Sequence, residues 1–373
     1  MIPVIGLDAR MVQPTPSGLG TYATQLVRAI VAQDTRHSYV VIRTPDSPGP
    51  IAAGPNVRDV VVPSPLDTPG NLLRGRQLSQ LGIDLYHSLH HFLPPGLRVP
   101  RVVLTLHDLI WIEHRRLIVD GRFGAINRAV THLYARGAMG YALRRANRVV
   151  AVSAYSARRA IERYRLDPSG VDIVHHGVDR SVFAPRPPSG DESEPPYFVV
   201  LGNTRPYKNV PTALQAFAIC ARAHRDVRLV VAGRGDSFST LQPLARALRI
   251  ADRVRFSGPV SQRELVELLH GAVSLVFPSF IEGFGLPVVE AMAAGCPVIA
   301  SSCPAIVEIA GDAAIFCDAG DADSFAAAMT TLLRDTQRRH DLRARGLARA
   351  QMFSWTDAAD RTIAVYRALL DGG

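Results

Sequence analysis

The chain of 373 residues lacks most of the residue patterns that would make it a secreted, membrane-spanning or metal-built protein. Its four cysteines, Cys220, Cys296, Cys303 and Cys317, show no CxxC pairing. That spacing excludes a disulfide framework and suits a reducing compartment, with the thiols as small buried residues. No apolar run reaches the length of a bilayer-spanning helix. The start, Met1-Ile2-Pro3-Val4-Ile5-Gly6-Leu7-Asp8, runs straight into a strand pattern, without the basic region and apolar core of a secretory signal. A cytoplasmic location is therefore expected. His87, His90 and His91 lie close together, but no acidic or cysteine partner stands at ligand spacing, so no protein-bound metal is expected. Short-period repeats and low-complexity tracts are absent. Lysine is scarcest of all: Lys208 is the only one among 42 basic residues. Where composition favours arginine so strongly, a surviving lysine points to a need for a compact ammonium group.

What is present supports two domains. The length exceeds one ordinary core, and 47% of residues are hydrophobic, enough for two. The net charge of +9 is lopsided. Up to Arg186 there are 23 arginines against 13 acidic residues, and beyond it 19 basic against 20 acidic. Arginines are densest from Arg115 to Arg165. Such a face attracts anionic lipid headgroups or phosphate-bearing acceptors, or is the solvated surface of an arginine-rich chain. No nucleic-acid partner is expected.

Strand-like runs alternate with helical patterns in two series. The first has strands at Val4–Leu7, Tyr39–Ile42, Val57–Val62, Asp84–His87, Val102–Leu106 and Val149–Val152, with helices such as Thr21–Ala32 and Arg122–Ala146 between them. A proline-rich, charged stretch from Pro185 to Pro196 breaks the pattern and reads as a linker. The second series has strands at Tyr197–Leu201, Arg228–Ala232, Val254–Phe256, Val273–Phe277, Pro297–Ala300 and Ala314–Cys317. Its helices include Val210–Ala223, Gln262–His270, Pro287–Ala294, Ala322–Leu333, Gln337–Ala350 and Thr356–Leu370. The alternation predicts an α/β protein with two doubly wound parallel sheets. Ligands then belong in the loops just after strands, in a cleft if the two sets of strand ends face each other.

Four such loops carry chemistry. Pro278 to Glu290 follows a strand and opens a helix. Gly283 and Gly285 admit close backbone approach, and the helix start offers an anion site. Glu282 and Glu290 beside a phosphate site make sense as acceptors for sugar hydroxyls. The plain alternative is a strand–turn–helix with a dipole glutamate, worth about 0.3–1 kcal/mol. In Gly202 to Val210, Arg205 and Lys208 can neutralise a departing diphosphate. Ser17-Gly18-Leu19-Gly20-Thr21-Tyr22 places two glycines before a helix, but without the GxGxxG spacing of dehydrogenases. His107, in Thr105-Leu106-His107-Asp108-Leu109, stands at a strand end, where it can hydrogen-bond a sugar. His175 and His176 are placed similarly.

Together these segments resemble the family 4 glycosyltransferases over nearly the whole chain. The resemblance is carried by Glu282 and Glu290 in an E-x7-E pattern around Gly-Phe-Gly-Leu-Pro. It is carried also by Ser17 to Tyr22, Thr105 to Leu109, Val152 to Ser156, His176-Gly177-Val178-Asp179, Gly202 to Asn209 and Phe353-Ser354-Trp355. It implies a GT-B fold of two Rossmann-like domains with an interdomain cleft. The N-terminal, acceptor-binding domain would cover 1–186 and the linker 187–196. The nucleotide-sugar domain would cover 197–353, and a C-terminal segment, 354–373, would return to the first domain. The resemblance further implies a retaining, metal-independent hexosyltransferase with a nucleoside diphosphate sugar as donor and no bound cofactor. GDP-mannose is the favoured donor, from the flavour of Gly202 to Asn209 and the His-Asp motif. A glycan or lipid-linked acceptor, made into cell-surface polysaccharide at the inner face of an anionic membrane, completes the expectation.

Position by position, Glu290 would take the ribose hydroxyls. Glu282 and the backbone of Gly283, Phe284, Gly285 and Leu286 would take sugar and phosphate. Lys208 would hold the diphosphate, Gly18, Leu19 and Gly20 would approach phosphate and sugar, and His107 would lie by the reacting carbon. Val260 and its neighbours would border the base. Many members carry an arginine where this chain has Asn203; Arg205 stands later in the same loop. A hydrolase using the two glutamates is disfavoured, because a phosphate-binding helix start between them leaves no room for its substrate. A sugar-nucleotide epimerase of the same fold and a non-catalytic nucleotide-binding scaffold are the alternatives.

Overall fold

The computed structural model describes the chain except for residues 1, 16, 64–70, 72–73, 115–116, 118–124, 187–194, 234–237 and 372–373, and the side chains of 125–132 and 134. Most of the expected linker, with Arg115, Arg116, Arg122 and the Arg128 side chain of the basic stretch, lies outside the described residues.

The chain divides into two compact units. The first comprises Met1–Glu113, Ala125–Gly177 and Ser354–Gly373, and the second His114–Gly124 and Val178–Phe353. Strands β1 (Val4–Asp8), β2 (Ser38–Arg43), β3 (Val57–Val61), β4 (Leu85–Ser88), β5 (Arg101–Leu106), β6 (Arg148–Ala151) and β7 (Val171–Ile173) build the first sheet. They lie in the order β3-β2-β1-β4-β5-β6-β7, every pairing parallel. The helices between them are α1 (Gly18–Gln33), α2 (Gly75–Ser79), α3 (Ile110–Glu113), α4 (Ala125–Arg145) and α5 (Ala154–Tyr164).

The second sheet contains β8 (Tyr197–Leu201), β9 (Arg228–Ala232), β10 (Val254–Gly258), β11 (Ser274–Phe277), β12 (Val298–Ser301) and β13 (Ile315–Cys317). Their order is β10-β9-β8-β11-β12-β13, again all parallel. Its helices are α6 (Val210–Ala223), α7 (Phe238–Ala247), α8 (Gln262–Gly271), α9 (Leu286–Ala293), α10 (Pro304–Ala310), α11 (Ala322–Arg334) and α12 (Thr336–Ala350). The last helix, α13 (Trp355–Leu370), belongs to the first unit. Its Ala358, Ala359, Ile363, Val365 and Tyr366 share a core with Ile5, Leu7, Leu26 and Val27 of β1 and α1.

The central strands are mostly apolar because helices cover both sheet faces, with polar residues such as Asp8, His87, Ser88, Ser274 and Ser301 at or near their ends. β4, β11 and β12 are buried at every residue. One expectation shifts. Gly18 and Gly20 do not precede the helix but form the first turn of α1, because Ser17 caps it by accepting from Gly20 N at 3.0 Å. A side-chain cap there outweighs the low helix propensity of glycine.

In both sheets the first strand lies inside, and the chain winds first to one side of it and then to the other. The reversal falls between β1 and β4 in the first unit and between β8 and β11 in the second. Loops leaving two such strands diverge and open a crevice beyond their carboxyl ends. The Gly202–Asn209 and Pro278–Gly285 loops leave β8 and β11 at that place.

Candidate active site

In the second unit, Asn209 ties the two switch-point loops together. Its backbone is left-handed, φ +54°, at the cap of α6. Its Nδ2 donates to Pro278 O at 3.0 Å and Ala319 O at 2.6 Å, while Oδ1 accepts from Thr212 Oγ1 at 2.8 Å. Phe280 N donates to Tyr207 O at 2.8 Å and adds a second stitch. The result is a fixed distance between two charged side chains. Lys208 Nζ lies 2.6 Å from Glu282 Oε1, with the side chains only 11% and 9% exposed. The ammonium also stands 5.0 Å from the Phe277 ring centre and 5.2 Å from that of Tyr207, within cation–π range.

The next turn is built for backbone contact. Gly285 has φ +99° at the start of α9, and a Cβ there would lie 2.4 Å from Ile306 Cδ1. Pro287 occupies the first turn, where its missing N–H costs nothing. Phe284 turns its ring inward, edge-on to Phe353 at 5.8 Å. Gly283 to Leu286 therefore present main chain, beside a helix N-terminus suited to anions. Glu290 sits one turn further along, and burial pushes its carboxyl up to about 7.

Three neighbouring strand ends finish in glycines at positive φ: Gly202 after β8, Gly233 after β9 and Gly258 closing β10. Gly202 N donates to Ala232 O and Gly233 N to Gly258 O, and a Cβ on Gly233 would lie 1.8 Å from Gly202 O. The main chain is packed too closely for any side chain at Gly233. Sequence reading passed over Gly233; its signal was a glycine directly after a strand, repeated at three adjacent strands.

Asn203, expected among the donor-binding residues, is held within its own loop. Its amide donates to Tyr207 OH at 3.2 Å and its carbonyl accepts from Arg205 N at 3.1 Å, so both ends organise the loop itself. Arg205 is exposed at the cap of the turn Pro206–Lys208. Val260 is half-buried just before Ser261, whose side chain and Glu264 form a capping box on α8.

In the first unit, His107 follows β5. Its Nε2 lies 3.0 Å from Leu89 O, and a carbonyl can only accept, so Nε2 carries the proton and Nδ1 the lone pair. Burial lowers its pKa to about 4, which keeps it neutral. Tyr22 of α1 packs edge-on against it at 4.7 Å. Tyr22 OH and His87 Nε2 both meet Thr105 Oγ1 at 2.9 Å, and His87 Nδ1 meets Tyr366 OH of α13 at 2.6 Å. His176 lies 4.6 Å from the Tyr22 ring. At the end of β1, buried Arg10 is paired with Asp8 at 2.6 Å and bonded to Asn71 at 3.0 Å. Among the described residues, no group of three or more His, Cys, Asp or Glu is placed to hold a metal ion.

Two all-parallel sheets with switch-point loops, one of them bearing the Lys208–Glu282 pair before a glycine-opened helix, define the GT-B class of fold. The comparisons narrow the class. A model of Glycosyltransferase Family 4 matches residues 16–182, and one of Glycosyl transferases group 1 matches 184–349. The chain belongs to this family of glycosyltransferases. It is 29% identical to O-antigen chain mannosyltransferase B of Escherichia coli over 76% of this chain and 74% of that one. It is 34% identical to D-inositol 3-phosphate glycosyltransferase 1 of Catenulispora acidiphila over 61% of this chain, spanning 59% of that relative's length. In structure it is similar to sucrose-phosphate synthase of Thermosynechococcus elongatus, with a TM-score of 0.76 at 20% identity and full coverage of both chains.

Proposed function

We propose that the chain is a retaining, metal-independent hexosyltransferase that takes a sugar from a nucleoside diphosphate donor, GDP-mannose before others. The acceptor is a glycan or a lipid-linked glycan in cell-surface polysaccharide synthesis, made at the inner face of the membrane. The observation that carries this reading is the Lys208–Glu282 pair at 2.6 Å, set beside the start of α9 at the β8/β11 switch point. A lone cation and a lone carboxylate held together suit a ligand with a charged diphosphate next to a hydroxyl-bearing sugar.

In this reading Lys208 takes the diphosphate, and its charge favours departure of the leaving phosphate. Glu282 and the main chain of Gly283 to Leu286 take the sugar, and Glu290 takes the ribose hydroxyls. Arg205, three residues before Lys208 in the same loop, adds a second phosphate contact in this reading. Val260 borders the base. Gly18, Leu19, Gly20 and His107, in the first unit, take part in substrate recognition in this reading. The bond from the anomeric carbon to the phosphate oxygen breaks through an oxocarbenium-like state. The acceptor oxygen bonds to the same face, and its proton passes to the departing phosphate. No protein nucleophile is needed. The mannose preference is supported by the relationship to an O-antigen chain mannosyltransferase.

Parallel titration with GDP-, UDP- and dTDP-sugars tests the donor. Tightest binding of GDP-mannose is expected, and a clear UDP preference would overturn that assignment. Incubation with donor alone, followed by a search for an isomerised sugar, separates transfer from epimerisation. Tight donor binding with no transfer to any of a panel of glycan acceptors would instead favour a scaffold.

A further inference from the structure

The turn after β4, in the first unit, is pinned at three points. Leu89 N donates to Asp8 O at 3.3 Å, Leu89 O accepts from His107 Nε2 at 3.0 Å, and Ser88 Oγ donates to Phe92 O at 2.7 Å. This turn carries His90 and His91, which are 7% and 3% exposed. Their ring centres are 4.0 Å apart, and His90 also packs against Phe92 at 5.0 Å and His107 at 6.1 Å. The Nδ1 atom of each is buried with no hydrogen-bond partner among the described residues.

An unmet buried polar atom costs about 1–3 kcal/mol. Two adjacent ones, in a turn pinned at three points, are hard to account for as packing. They stand at the carboxyl end of β4, at the first unit's switch point, where ligands of doubly wound sheets bind.

The chemistry around them defines the ligand. Burial keeps both imidazoles neutral, well below the ordinary range for His90 and at about 3 for His91. A neutral imidazole both donates and accepts, which matches hydroxyl groups. The rings in contact with them, Phe92 and His107, carry no charge. Arg10, at the neighbouring strand end, is bound to Asp8 and Asn71. A phosphate would meet no unengaged cation among these residues, whereas a sugar would meet paired polar atoms and an aromatic wall.

We propose that His90 and His91 form an acceptor subsite that reads the hydroxyls of a neutral sugar and discriminates against a phosphorylated one. The proposal rests on the glycosyl-transfer reading above and adds the class of acceptor to it.

The test uses the full chain labelled with 15N-histidine. Methyl α-D-mannopyranoside, methyl α-D-glucopyranoside and methyl α-D-galactopyranoside are titrated in, with D-mannose 6-phosphate as the charged comparison. The His90 and His91 ring nitrogens, assigned through H90F and H91F, are expected to shift saturably with at least one neutral glycoside. The phosphorylated sugar is expected to shift them less. Unmoved resonances with all three glycosides, or a larger movement with D-mannose 6-phosphate, overturn the proposal.

The variants add an independent readout. An apolar ring removes the unmet nitrogen, so H90F and H91F are expected to melt no lower than the parent. They are expected to raise the glycoside KM roughly tenfold, equivalent to ~1.4 kcal/mol, with the donor KM unchanged. A fall in stability with an unchanged glycoside KM would mark the pair as structural and overturn the subsite. GDP-mannose binding is followed in the same samples. Its loss in the parent protein would overturn the proposed donor while leaving the glycoside result to be judged by itself.

Discussion

At the scale of the residue, the decisive feature is one nearly buried ion pair. Removing one partner of such a pair leaves a charge unmet in a poor solvent and costs about 3–5 kcal/mol, whereas replacing both by apolar residues is often neutral. Urea denaturation of K208M and E282L should therefore show large losses in each, and K208M/E282L should recover most of them. Additive losses would mean that the two groups do not depend on each other. Glu290 gives a pH signature. Its folded pKa of about 7 lies above the ordinary 4.5, so the native state keeps a proton that the unfolded chain has released. This group's contribution to stability is accordingly full below about 4.5, declines as the pH rises to about 7, and is flat beyond. Glu290→Gln should abolish that part of the decline. If the ionised carboxylate takes the ribose hydroxyls, GDP binding at pH 6 releases protons and tightens as the pH rises towards 7. Calorimetry in buffers of different ionisation heat reads the sign, and proton uptake would mean that Glu290 donates instead.

Among the elements, α9 depends most on a single residue. Gly285→Ala puts a methyl group 2.4 Å from Ile306 Cδ1 on a backbone at φ +99°. Strain of that kind costs about 1–3 kcal/mol. The variant should melt lower and bind GDP-mannose more weakly, and Ile306→Ala added to it should restore only part of the loss, since the contact is relieved but not the backbone. An unchanged melting temperature would show that the turn tolerates a side chain. This segment was legible in sequence because glycine and proline punctuate it. The central strands were legible because burial on both faces leaves them mostly apolar. α5 was not, since it buries only Ser156, Ala157 and Ala160 and carries Arg158, Arg159, Glu162 and Arg163. α10, seven residues long, and β7, three, are too short to show a period. Asn209 was read only as the end of a motif, because its partners Pro278 and Ala319 lie 69 and 110 residues away. The orphaned nitrogens of His90 and His91 are likewise a matter of packing, which local sequence does not specify.

Across the whole molecule, charge and connectivity divide differently. The chain leaves the first unit, builds the second, and returns with α13 to complete the first unit's core. The positive surplus lies in the stretch up to and including Arg186, with 23 arginines against 13 acidic residues. Part of it is neutralised locally: Arg148 pairs with Asp172, and Arg159 with Glu113 and Glu162. Arg136, Arg144, Arg158, Arg163 and Arg165 are exposed on and beside α4 and α5. Among the described residues no helix is long and apolar enough to cross a membrane. The exposed arginines would attract anionic headgroups electrostatically. Such attachment weakens with salt, because the screening length falls from about 10 Å at 0.1 M to about 3 Å at 1 M. The full chain should co-sediment with vesicles containing phosphatidylglycerol, and less with phosphatidylcholine alone. The difference should shrink as salt is raised and in R158E/R163E, both sites being exposed and outside the residues assigned to donor or acceptor. Equal sedimentation with both vesicles would reduce the arginine surplus to a solvated surface and leave the acceptor to be met in solution.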